Sequence, residues 1–242
     1  MRAGGGAMEK ASKRPMKLPK GLDLVIFDCD GVLVDSEFLA MRAYQDLFAE
    51  LGGEVSVGLW RRCLGKKQDD ILAVIEQTVG RVAPPELRAT LWPRVEALFA
   101  AELKPTPGLV PFLEALEARR CVASSSDLDR IRFSLKVAGL ARFFDGDLFS
   151  GRDVARGKPA PDIFLYAARK MGVAPEAALV IEDSSPGVLA ARAAGAKVVG
   201  YVGGAHVDDN SAQQLIDAGA RAVAASWREV AEFLGEAQAI GL

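Results

Sequence analysis

Short apolar runs alternate along most of the chain with stretches whose apolar residues recur at three and four spacing. Leu22 to Phe27 is nearly continuous and holds β-branched residues, the pattern of a strand buried on both faces of a parallel sheet. Similar runs stand at Cys121 to Ala123, Ala178 to Ile181, Lys197 to Tyr201 and, more weakly, Ala222 to Ala225. Between them, Leu128, Ile131 and Leu135 mark one helix, and the stretch from Pro161 to Met171 another. A further helix opens at Ser185-Pro186, with serine as cap and proline in the first turn, and closes at Gly195. Strands alternating with helices specify parallel βαβ units. The expected fold class is α/β, an open parallel sheet with helices on both faces, for which ligands collect beyond the carboxyl ends of the strands.

One segment breaks the alternation. From Glu37 to Lys104 every signal is helical: Tyr44, Leu47, Phe48 and Leu51 form one stripe, Ile71, Leu72, Ile75 and Val79 a second, Leu87, Leu91, Val95 and Leu98 a third. This insertion, closed by Lys104-Pro105-Thr106-Pro107-Gly108, reads as an all-helical cap hinged on two linkers, a lid over the strand ends. The expected division is a Rossmann-like core over 21–36 and 106–242, a helical cap over 37–105, and a disordered tail over 1–20. That tail carries six Lys or Arg against one Glu and three consecutive glycines.

Composition narrows the partners. Of 242 residues half are hydrophobic, and 32 acidic against 30 basic side chains leave a net charge of -2. Disorder of the whole chain is excluded, and no basic face exists on the scale that nucleic acid requires. No apolar run approaches the roughly 20 residues of a membrane span, and the N-terminus lacks the apolar stretch of a secretory signal. A soluble cytoplasmic protein is expected, a monomer or weak homodimer that binds neither nucleic acid nor membrane. Cys29, Cys63 and Cys121 are too far apart for a metal or redox pair and read as reduced thiols. With His206 as the single histidine, a histidine-rich metal site is excluded, and acid-base chemistry falls to carboxylates or lysines.

Those carboxylates fall at strand ends. Phe27-Asp28-Cys29-Asp30-Gly31 places two acids at i and i+2 directly past a buried strand. One can serve as nucleophile beside a divalent metal while the other moves a proton; an acidic turn with a glycine is the plain alternative. Ile181-Glu182-Asp183-Ser184 puts two more acids on the same edge of the sheet. Such a cluster repels itself unless a cation sits within it, and hard oxygen ligands favour magnesium over zinc. After the strand ending at Ala123, Ser124-Ser125-Ser126-Asp127 offers a hydroxyl and successive N–H groups to an anion, besides helix capping by Ser126 or Asp127. Lys158, in a proline-stiffened loop, adds a positive charge whose claim rests on the company of the other motifs.

The D-x-D-G-x-L-x-D-S-E form of the first motif, followed in order by Ser124, Lys158 and Glu182-Asp183, resembles the haloacid dehalogenase-like hydrolases, specifically their capped phosphatases and phosphomutases. The likeness runs from residue 22 to about residue 236. It implies that Asp28 attacks phosphorus to form an aspartyl-phosphate, and that Asp30 protonates the leaving oxygen and then activates water. It also implies Mg2+ bound by Asp28, Asp183 and the Asp30 backbone carbonyl, with Glu182 adjusting the metal's shell. Ser124 and the Ser125 N–H would hold phosphoryl oxygens, and Lys158 would offset charge. Asp30 argues against dehalogenation, because halide leaves without a proton.

In this family the cap loop resembling Arg61 to Asp70 reads the substrate, which makes Gly65, Lys66, Lys67 and Gln68 candidate binding residues; a solvated helix connection is the alternative. Sugar phosphomutases of the family carry a histidine shortly after the first motif, whereas this chain reads Ser36-Glu37-Phe38-Leu39-Ala40. The expectation is therefore a phosphatase of a small phosphorylated metabolite, a sugar or sugar acid such as 6-phosphogluconate. A β-phosphoglucomutase-like enzyme is the first alternative and a catalytically silent phosphate-binding module the second.

Overall fold

The structure is a computed structural model that describes residues 15–64, 66–144 and 146–240. Strand β1 (Leu24–Phe27) leads into helices α1 (Glu37–Ala49), α2 (Val57–Arg61), α3 (Gln68–Val79), α4 (Pro85–Arg88) and α5 (Leu91–Glu102). Helix α6 (Leu109–Ala115) then returns the chain to β2 (Arg119–Ser124), and α7 (Leu128–Val137) connects to β3 (Leu148–Ser150). Helix α8 (Asp162–Lys170), β4 (Ala178–Glu182), α9 (Ser185–Ala193), β5 (Lys197–Tyr201), α10 (Ser211–Ala218), β6 (Ala222–Ala224) and α11 (Trp227–Ile240) complete the order.

The six strands form one parallel sheet in the order β3-β2-β1-β4-β5-β6, the α/β class expected from the alternating pattern. Period-two alternation divides β1 between two cores. Val25 and Phe27 join one cluster with Val122, Ile181 and Trp227, while Leu24 and Ile26 join the other with Ala123, Val180 and Phe164. Burial on both faces is why these strands are unbroken apolar runs. The order reverses at β1, with β2 on one side and β4 on the other, so a crevice opens beyond its carboxyl end. Register fixes what lines it: Phe27 lies opposite both Val122 and Ile181, so the acids after β1 and β4 and the serines after β2 leave the sheet side by side.

Several details differ from the sequence reading. Strand β3 was not anticipated, because three residues are too short a run to show a period. The third helical stripe is split, Leu87 in α4 and Leu91, Val95 and Leu98 in α5, and Leu51 lies past the end of α1. The cap of α9 is Ser184, one residue earlier than read, its hydroxyl accepting from the Gly187 N–H at 3.2 Å. Asp127 precedes α7 without a side-chain capping bond and pairs with Arg152 instead. Residues 1–14 of the expected tail lie outside the described residues, but its end is paired. Met16 N–H donates to Ala115 and its carbonyl accepts from Glu117, both at 2.8 Å.

Residues 37 to 102 contain helices and no strand among the described residues. Their two connections to the sheet run alongside each other: Val34 bridges Pro105, the Asp35 N–H donates to Lys104 and the Thr106 N–H to Leu33, both at 3.1 Å. No helix among the described residues is long and apolar enough to cross a membrane.

Candidate active site

Beyond the end of β1 lies a cavity of about 320 Å³ between the strand ends and helices α1, α2, α3 and α5. Asp28, Asp30, Ser124, Ser125, Lys158 and Asp183 line its floor, and Glu37, Tyr44, Trp60, Lys66, Lys67 and Gln68 are among the residues facing them. Of the residues singled out in the sequence, Glu182 is not on this wall and Gly65 lies outside the described residues.

Asp28 is buried, and the Lys158 ammonium, itself buried, donates to its Oδ1 at 2.6 Å. The same nitrogen reaches Glu182 Oε1 at 2.6 Å and the Ala123 carbonyl at 3.3 Å. Burial pushes the Asp28 carboxyl well above the ordinary carboxylate range; Lys158 works against this, while Glu182 and Asp183 add to it. Burial would lower the lysine, but Asp28 and Glu182 together raise it, so Lys158 stays charged. One cation shared by two acids, with a third carboxylate close by, leaves this end of the cavity short of positive charge.

Glu182 Oε2 accepts from the Ser184 N–H at 2.8 Å and hydroxyl at 2.9 Å, and its Oε1 takes Lys158. A Cβ at Gly187 would overlap that carboxylate, so the helix start after β4 is shaped around it. Both Glu182 oxygens are thus engaged by Lys158 and Ser184.

Asp30 accepts from three donors. Ser36 Oγ at 2.7 Å and Arg130 Nη2 at 2.8 Å reach its Oδ1, and Ser126 Oγ reaches its Oδ2 at 2.7 Å. Burial alone would raise this carboxyl, but Arg130 and the two hydroxyls outweigh it and hold it below its usual value. Ser124 Oγ accepts from the Ser126 N–H at 3.1 Å, which tightens the turn after β2. Asp183 Oδ2 lies 3.0 Å from His206 Nε2, with both side chains buried. Burial would lower the imidazole, but the hydrogen bond and charge of Asp183 raise it to about 9.

Glu37, the first residue of α1, is buried, and its Oε2 accepts from Trp60 Nε1 at 3.1 Å. Burial, reinforced by Asp30, raises its carboxyl to about 7. Cys63 also lines the cavity, but burial pushes its thiol up to about 11, so it is no thiolate nucleophile near neutrality. Lys67 donates to the Gly151 carbonyl at 2.9 Å, while Arg152 pairs with Asp69 at 3.5 Å and Asp127 at 2.6 Å. These contacts tie the start of α3 and the turn after β2 to the loop after β3.

The family pattern of haloacid dehalogenase-like hydrolases matches residues 22–195, well over half of the chain. The chain belongs to this family. Among curated relatives, 6-phosphogluconate phosphatase of Escherichia coli K12 is 32% identical over 187 residues, 76% of this chain and 85% of the relative. The phosphorylated carbohydrates phosphatase of Thermotoga maritima is 30% identical over 207 residues, 84% of this chain and 94% of the relative. Among solved structures, a haloacid dehalogenase family hydrolase from Deinococcus radiodurans with bound phosphate and sodium superposes with a TM-score of 0.73 at 32% identity. That match covers 90% of this chain and 96% of the other.

In this haloacid dehalogenase-like hydrolase, the sequence motifs supplied Asp28, Asp30, Ser124, Lys158 and Asp183, which share one cavity. Sequence reasoning missed Arg130, Ser126 and Ser36 on Asp30, the Glu37–Trp60 pair, and His206 on Asp183. Arg130 stands 100 residues from Asp30, and no local pattern announces that partnership. Glu37 carried a signal, an acidic residue at the mouth of a helix within the first motif.

Proposed function

We propose that this enzyme hydrolyses phosphate monoesters of small sugars or sugar acids through an aspartyl-phosphate on Asp28, with Mg2+ as cofactor. A phosphoric monoester hydrolase is the coarser statement, and it rests on the family and on relatives named as phosphatases. The observation that carries the finer reading is Asp28 itself: a buried carboxylate at the cavity floor, one oxygen fixed by Lys158, beside Ser124 and Asp183.

The residues fit a hard dication. No group of three His, Cys, Asp or Glu forms a ready-made cage among the described residues, so most of the shell would come from water and substrate, as magnesium tolerates. Asp28, Asp183 and the Asp30 carbonyl would hold it, and hard oxygens short of positive charge are the donor chemistry it takes. When bound, it would neutralise phosphoryl charge and favour the ionised form of Asp28.

The remaining work belongs to side chains of this chain. Asp28 Oδ1 is held by Lys158, which orients the carboxylate and offsets charge as a phosphoryl group approaches. Ser124 and the Ser125 N–H receive phosphoryl oxygens. Asp30, ionised and bound by three donors, cannot give a proton in this arrangement. To act as the acid it must first take up a proton, which losing the Arg130 ion pair favours; it then gives that proton to the ester oxygen and, ionised again, can take one from water. We assign residues 37–105 as the cap; Tyr44, Trp60 and Trp92 give the cavity aromatic walls, and Lys66 and Gln68 add polar groups, a lining suited to a sugar-sized ester.

Phosphate release from a panel of sugar phosphates, phosphoglycolate and nucleotides, with Mg2+ and with chelator, tests the reading. Magnesium-dependent turnover of sugar phosphates or 6-phosphogluconate is expected. Turnover confined to nucleotides overturns the substrate class. Conversion of β-glucose 1-phosphate to glucose 6-phosphate with a trace of bisphosphate replaces hydrolysis by mutase activity, and no turnover of any ester points to a silent module.

A further inference from the structure

His206 is a titratable group next to the cavity that the mechanism above leaves unused. Its Nε2 lies 3.0 Å from Asp183 Oδ2, and the two side chains are 5% and 7% exposed. An ionised carboxylate only accepts, so Nε2 carries the hydrogen and donates it. The other ring nitrogen, Nδ1, is buried without a hydrogen-bond partner. A histidine kept for packing alone gains nothing from an orphaned buried nitrogen, whereas one kept for the Nε2 donor tolerates it.

The backbone is arranged around this pair. Gly31, at φ +77°, sits against it: a Cβ there would overlap Asp183 Oδ2 and lie 2.8 Å from His206 Cε1. A Cβ at Gly204 would lie 2.7 Å from His206 Cε1 and 2.8 Å from Nδ1. Two glycines, one in the first acidic motif and one after β5, therefore leave room for an imidazole in one orientation. The segment bearing His206 is tied to the same motif, because the Ala205 N–H donates to Asp35 Oδ1 at 3.1 Å. On its far side Asp208 pairs with Arg61 of α2 at 3.2 Å.

We propose that His206 is a positioning residue for Asp183: it pins Oδ2 through its Nε2–H and thereby leaves Oδ1 free to meet the cation in the cavity. The assignment rests on the magnesium reading of the site. A carboxylate with one oxygen pinned has less rotational freedom to lose on binding a metal, and a donor behind a ligating group is the general way proteins hold ligands in place.

The test is direct metal binding, by calorimetry with Mg2+ and by electron paramagnetic resonance with Mn2+, on the whole chain without substrate. The variants are His206→Phe, which keeps a ring without a donor, and His206→Gln, which returns an N–H donor. The Phe variant is expected to bind either ion about 10- to 100-fold more weakly, and the Gln variant within about threefold of wild type. In an Asp183→Asn background, His206→Phe should weaken binding no further. Should the Phe variant fail to fold, His206→Leu carries the same comparison. Unchanged binding in Phe, equal losses in Phe and Gln, or a further loss in the Asp183→Asn background each overturn the assignment. If the wild-type chain itself binds neither ion, the magnesium reading falls first and this inference falls with it.

Discussion

Lys158 Nζ stands 2.6 Å from Asp28 Oδ1, and that single ammonium is also the partner of Glu182. Two buried acids that depend on one cation make the lysine both a structural and a chemical centre. Lys158→Met should cost about 3–5 kcal/mol, the usual consequence of stripping the partner from a buried charge, read as a lowered midpoint in urea unfolding. Asp28→Asn retains an oxygen for Lys158 and should leave the fold intact while lowering phosphate release at least about a thousandfold. Turnover of an aryl phosphate by a folded Asp28→Asn variant would remove Asp28 as nucleophile.

Glu37 gives stability a pH dependence. Its carboxyl rises from 4.5 to about 7, chiefly because it is buried, so the folded chain holds this proton more tightly than the unfolded chain does. The resulting stabilisation is full below pH 4.5 and is lost as pH climbs through about 7, a change on the order of 3 kcal/mol. Glu37→Gln keeps an acceptor for Trp60 without the charge. Denaturant unfolding between pH 5 and pH 8 should therefore show a smaller decline in the Gln variant than in wild type. Parallel declines in the two proteins would show that Glu37 is not the group responsible.

Arg152 lines the cavity and pairs with both Asp127 and Asp69, beside the Lys67 to Gly151 hydrogen bond. These groups are largely exposed, so Arg152→Ala should change stability by less than about 1 kcal/mol. Its effect belongs to binding. A segment at residues 66–70 that is less firmly held should raise KM by about threefold or more, because positioning groups act through precise placement. An unchanged KM in steady-state kinetics would place this segment outside substrate recognition.

What the sequence disclosed follows from how far each interaction reaches along the chain. Strands buried on both faces write themselves as apolar runs, so β1, β2, β4 and β5 and the sheet class were legible. Asp28 and Asp183 stand directly after such runs, and the sheet's register carries them to one edge. Lys158 came from its motif, but its two acidic partners lie 130 and 24 residues away and no local pattern names the second. Glu182 shows the limit: its neighbour Asp183 faces the cavity, while Glu182 turns to Lys158 and Ser184, and a pair of adjacent acids does not reveal which is which. His206 stood alone after a glycine pair, and only the fold brings Asp183 and Gly31 against it.

The linker between α5 and α6 holds a buried threonine with two assignments. Thr106 Oγ1 donates to the Val32 carbonyl at 2.6 Å and accepts from Trp227 Nε1 at 2.8 Å. It thereby ties the return linker to the loop that carries Asp30 and to the aromatic cluster beneath the sheet, where Trp227 stacks on Tyr201 with ring centroids 4.7 Å apart. Thr106→Val is close to isosteric and removes both bonds, leaving an indole N–H and a carbonyl buried without partners at about 1–3 kcal/mol each. The midpoint of thermal unfolding should fall by several degrees, at about 2–4 °C per kcal/mol for a chain of this size. Thr106→Ser restores both bonds and loses only a methyl group, so it should recover most of the difference. Equal midpoints for the Val and Ser variants would mean that the methyl contact, and not the hydroxyl, secures the linker.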